Sequence, residues 1–106
     1  MTESDYTRLA DAAMNRLEAS LDGVTADIDP HLAADGVLEI EFADGSMIVV
    51  NKQAAAQEIW VAAKSGGFHY RWDGSAWIDT RSGEELFAAL ARLASGQAGE
   101  TIELAE

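Results

Sequence analysis

Apolar residues recur every three or four positions near the start of the chain, at Tyr6, Leu9, Ala10, Ala13, Leu17 and Leu21. That period predicts an amphipathic helix from Ser4 to near Gly23, laying one stripe on a core. On another side of the same helix Asp11, Glu18 and Asp22 share a stripe, with Asn15 between them. The period then changes to two. VTADIDP and VLEIEF point Ile28, Leu38, Ile40 and Phe42 inward and Asp27, Asp29, Glu39 and Glu41 outward, as half-buried strands do. Asp44-Gly45 predicts a two-residue hairpin joining VLEIEFA to SMIVVN, because such turns need positive φ. Gly66-Gly67 and Asp73-Gly74 predict the next turns, between three short aromatic-rich strands.

Ser82, with Glu85 three residues on, predicts a capping box for a second helix. Its core stripe is Leu86, Phe87, Leu90 and Leu93, and Gly96 is its predicted stop. The closing GETIELAE segment either packs Ile102 against the helices or frays. Five or six contiguous strands between two helices predict an α+β fold, a two-layer α/β sandwich with both helices on one face of an antiparallel sheet. A chain of 106 residues makes this one domain over 1–106.

Charge changes the picture more than length does. The net charge is −12, which excludes nucleic acid and anionic membrane as natural partners and favours cations or basic proteins. Eleven of the acids and only two bases fall in residues 1–44, so that stretch carries −9. With no cysteine there is no disulfide framework and no thiolate site, which suits a reducing compartment. The polar N-terminus and the lack of a long apolar run predict a cytoplasmic protein without a membrane span.

The carboxylates Asp11, Glu18, Asp22, Asp27 and Asp29 are the candidate cation ligands, since hard cations take oxygen ligands. No EF-hand loop or paired Glu/His spacing is present, so spacing alone leaves two readings open, a cation surface and a plain solvated face. His31, near these acids, is either a further surface ligand or an exposed loop residue. Strand alternation turns Trp60 to the face opposite Ile59, Val61 and Ala63. There it is either a contact residue, in a patch with Asn51, Lys52 and Gln53, or a sheet stabiliser stacked on a neighbour such as Arg71. His69 stands on the same polar face. Phe68, Tyr70 and Trp72 share the core-facing parity, and Trp77 fits either side. No glycine-rich phosphate loop, nucleophile elbow or zinc-protease motif occurs, and the serines sit where turns and caps want them, so an enzyme is not predicted.

In order and spacing, RLAD (8–11), GVLEIEFADGSMIVVNKQ (36–53), EIWVAAKSGGFHYRWDG (58–74), WIDTRSGEELFAAL (77–90) and QAGET (97–101) resemble the frataxin family, in its bacterial CyaY group. The resemblance runs nearly end to end. It implies a six-stranded sheet with two helices, weak surface binding of ferrous or ferric iron, and a regulatory role in iron-sulfur cluster assembly. The implied iron ridge is Asp11, Glu18, Asp22, Asp27 and Asp29. The implied contacts with a cysteine desulfurase and its scaffold complex are Glu18 and Asp22 on the ridge and Asn51 and Trp60 on the sheet, and Gln53 of the patch around Trp60 is expected to join them. Such a protein is expected to be a monomer without iron. An alternative is an acidic interaction module in which metal is incidental, and a ferroxidase lacks its di-iron motif. Where relatives often show adjacent ridge carboxylates, Ala19 follows Glu18 and Gly23 follows Asp22. Thr7 also stands where a histidine can occur, so fewer and weaker iron sites are expected.

Overall fold

The structure is a computed structural model describing residues 1–33 and 36–104; Asp35, one of the acids counted above, lies outside them, as do Ala105 and Glu106. Helix α1 (Glu3–Asp22) leads into strands β1 (Ile28–Leu32), β2 (Leu38–Phe42), β3 (Met47–Gln53), β4 (Glu58–Ala63), β5 (Gly66–Trp72) and β6 (Trp77–Asp79), followed by helix α2 (Leu86–Ala98). The six strands form one antiparallel sheet in sequence order. No described helix is long and apolar enough to cross a membrane.

Helix α1 begins where local hydrogen bonding favours it. Thr2 caps it, its hydroxyl accepting from Asp5 N–H while the Asp5 carboxylate accepts from Thr2 N–H. Tyr6, Ala10, Ala13, Met14, Leu17 and Leu21 are buried, and Leu9 flanks them half-buried. They meet the inward side chains Leu38, Ile40, Phe42, Ile48, Val50, Ile59, Val61 and Tyr70 in one core with Leu86, Phe87, Leu90 and Leu93 of α2. Trp77, which could have faced either way, joins that core. Ile102 packs into it rather than fraying.

Several predicted boundaries shift, each for a local reason. The first strand starts at Ile28, after a bend at Ala26 and Asp27, so the VTA half of the predicted strand joins no sheet. The β2–β3 connection is a three-residue loop, Ala43 to Gly45, closed by Phe42 N–H to Ser46 O at 2.9 Å. Only Gly45 takes positive φ there (85°), because the Asp44 carboxylate is held by Ser46 N–H and Oγ. The β4–β5 turn is Lys64-Ser65, with Ala63 opposite Gly66, so the two glycines begin β5 instead of forming the turn. Ser82 does not cap α2. The chain turns at 80–82, and an Ile78–Glu85 bridge holds Glu85 extended; its carboxylate accepts from Phe87 and Ala88 N–H, so Glu85 is itself the N-cap. Gly96 lies inside α2, and the helix stops at Gly99, which takes the left-handed conformation at φ 74°.

Both sheet edges are closed. In β1 the middle residue Pro30 has no N–H, and Ile28 N–H donates back to Ala26 O. At β6, Asp79 N–H donates to Glu84 O and Asp79 O accepts from Gly83 N–H, so the chain folds back over its own edge. The buried Asp79 carboxylate accepts from Arg81 and Ser82 N–H. Burial pushes this carboxyl up, but those backbone hydrogen bonds outweigh it and hold it below its ordinary value. A depressed carboxyl adds stability that is complete above the unfolded-state pKa, about 3.9 for Asp, and is lost as pH falls through the folded value. Urea midpoints measured down a series from about pH 6 to about pH 2 should therefore drop more steeply below about pH 4 in the parent than in Asp79→Asn. Identical slopes would remove Asp79 from the acid transition.

Candidate metal and partner surfaces

The acidic stripe of α1 is present, but its members are not equivalent. Asp11 is half-buried and ion-paired with Lys52, which reaches up from β3. Lys52 therefore points to the helix side and leaves the predicted sheet patch, and Asp11 already has a cation. Glu18 is half-buried and Asp22, the last helical residue, is exposed. The two stand one helical turn apart, with no basic residue in the last turn of α1. Like charges at this spacing repel by a few tenths of a kcal/mol. They also sit at the negative end of the helix dipole, where a cation is favoured by about 0.3–1 kcal/mol.

Asp27 is exposed in the bend that leads into β1. Asp29 alternates with the half-buried Ile28 and Pro30, so it faces away from the helices, directly opposite Glu41 on β2. His31 lies in β1, not in a loop, and its Nε2 is 2.9 Å from Glu39 Oε1 on the same outer face. The ridge thus bends around the β1 edge, from α1 to the outer sheet face, and does not converge. Among the described residues no group of three or more His, Cys, Asp or Glu is close enough to hold a metal ion. Any cation it holds must complete its shell with water.

The outer face of β3 to β5 is built differently. Strand register puts Asn51, Trp60 and His69 in one row and Gln53, Glu58 and Arg71 in the next. The Trp60 indole is half-buried and stacks on the His69 imidazole, centroids 4.3 Å apart and planes 9° apart. The stacking partner is therefore His69, not Arg71. Trp60 Nε1–H donates to Glu58 Oε1 at 2.8 Å, and Gln53 Nε2 donates to Asn51 Oδ1 at 2.9 Å. Arg71 Nε–H donates to Glu58 Oε2 at 2.8 Å. Glu58 was missed from the sequence. Its only sequence signal is the strand parity it shares with Trp60; the arginine opposite it appears only with the β4–β5 register.

The predicted residues therefore form two surfaces. Glu18, Asp22 and Asp27 lie along the ridge with Asp29 around its corner, while Asn51, Gln53 and Trp60 share the outer sheet face. Known proteins carry the same arrangement of elements. The family model described as frataxin-like domain matches residues 1–100. The iron-sulfur cluster assembly protein CyaY of Dechloromonas aromatica is 55% identical over 104 residues, covering 98% of this chain and 99% of its own. That of Cupriavidus metallidurans is 51% identical over 107 residues, covering 98% and 96%. Among solved structures, the frataxin of Psychromonas ingrahamii superposes with a TM-score of 0.88 at 30% identity, over the whole of both chains. Trimeric frataxin of Saccharomyces cerevisiae shares the fold, with a TM-score of 0.66 at 24% identity over 93% of this chain and 81% of that one.

Proposed function

Since the chain belongs to the frataxin-like family, we propose that it is a cytoplasmic, non-enzymatic regulator of iron-sulfur cluster assembly, binding iron weakly on its ridge and docking on a cysteine desulfurase complex. The observation that carries this reading is the uncompensated pair Glu18 and Asp22 at the C-terminal end of α1. Two carboxylates there repel each other and the helix dipole, and a cation or a basic partner surface relieves both. The outer face around Asn51, Gln53 and Trp60 is assigned to the scaffold side of the same complex, tryptophan being enriched among the anchors of such contacts.

Iron is cargo here, held by one or two carboxylates and water, and Asp29 and the Lys52-paired Asp11 are secondary positions. Ferrous iron added anaerobically to the 15N-labelled protein is expected to broaden the amide signals of Glu18, Asp22 and Asp27 before those of Gly96 on α2. A uniform response, or none, rules out the ridge as the iron site. The scattered geometry of the acids favours a second reading, an interaction module in which metal is incidental. Desulfurase affinity that is undiminished by a chelator selects that reading.

A further inference from the structure

Glu58 is an acid on an outer sheet face, yet its residue exposure is only 6%. A carboxylate withdrawn from water in this way costs several kcal/mol unless its oxygens are satisfied. Here both are. Oε1 accepts from the Trp60 indole and lies 3.6 Å from His69 Nδ1, and Oε2 accepts from Arg71. The hydrogen bond from Trp60, then the hydrogen bond and charge of Arg71, hold the carboxyl below its ordinary value against the opposing effect of burial, so it stays ionised at neutral pH. Its main-chain carbonyl is also fixed, accepting from the buried Tyr6 hydroxyl of α1 at 2.9 Å. Glu58 is thus clamped to the ridge helix through its backbone and to the sheet face through its side chain.

We infer that Glu58 is a positioning residue: its carboxylate holds the Trp60 indole flat against His69, so that the sheet face offers a partner one fixed ring surface. The inference rests on the reading of Trp60 as a docking contact. Ordering a side chain before association spares the complex that entropy, which here corresponds to about a two- to tenfold gain in affinity. Glu58 contributes it without touching the partner.

The test separates orientation from docking. In the parent, the Trp60 indole N–H should exchange slowly with solvent, and ring-to-ring nuclear Overhauser contacts should link Trp60 with His69. Glu58→Ala should lose both and weaken binding to the cognate desulfurase and scaffold complex by about two- to tenfold. Glu58→Gln keeps an acceptor for the indole and should restore the ring contacts. Tyr6→Phe removes the backbone strut, so it should lower the melting temperature while leaving those contacts in place. Unchanged Trp60 to His69 contacts in a folded Glu58→Ala variant overturn the inference. A Trp60→Ala variant that binds the complex as tightly as the parent overturns the docking reading instead, and reduces the clamp to a structural lock.

Discussion

An Asp22→Lys variant is expected to melt higher than the parent protein while binding its basic partner less well. The exchange puts a cation at the negative end of α1, where the last turn has no base. It also turns the Glu18 and Asp22 repulsion into a Glu-to-Lys pair at i, i+4, the favourable orientation. Together these are worth about 1 kcal/mol, or about 4–8 °C in a domain of this size. Reversing one ridge charge should cost about tenfold in affinity for a basic surface at low salt, with the loss shrinking as salt is raised. Calorimetry and a binding titration at two ionic strengths check both halves. A lower melting temperature, or affinity unchanged at low salt, would count against the ridge as a strained binding surface.

Ending the chain at Gly99 is expected to cost about 2–5 kcal/mol, a large share of the roughly 5–15 kcal/mol that holds a domain folded. After α2 the left-handed Gly99 turns the chain back, and Ser95 Oγ clasps Ile102, accepting its N–H at 2.8 Å and donating to its carbonyl at 3.2 Å. Ile102 is buried in the core, and Leu104 packs half-buried against that core. The same segment lies across a cleft from Ala19, Ser20 and Gly23 at the end of α1. Losing it should therefore loosen the ridge as well as the core. Urea unfolding gives the stability loss, and amide exchange at Glu18 reports the ridge. A loss under about 1 kcal/mol would mean that the clasp contributes little.

What could be read from the sequence follows the physics of repeating patterns. A strand period of two assigns a face regardless of where the strand begins, so it puts Trp60 on the outer face and Tyr70 in the core whatever the turns. Ends depend on single residues that serve several purposes. Gly96 and Gly99 look alike in sequence, but only Gly99 takes the left-handed conformation that stops a helix. Ser82 resembles an N-cap, yet it lies in a turn, and pairing of Ile78 with Glu85 delays the helix start to Leu86. The site was legible to the same degree. Helical spacing found the Glu18 and Asp22 stripe, whereas the pairing of Asp11 with Lys52 joins residues 41 apart and exists only once β3 lies under α1. The shielding of Glu58 likewise needs Trp60, His69 and Arg71 from two strands at once. Iron entered through family resemblance alone, because carboxylate spacing does not name an ion.

The two closed edges of the sheet decide how this protein can be joined to others. A backbone edge accepts almost any extended chain, since every peptide carries the same donors and acceptors. With Pro30 in β1 and residues 83–85 folded over β6, that indiscriminate route is blocked on both sides. Recognition is left to side chains on the ridge and the outer face. An assembly built that way is addressed by residue identity, so single substitutions can retune its partners while the sheet beneath stays unchanged.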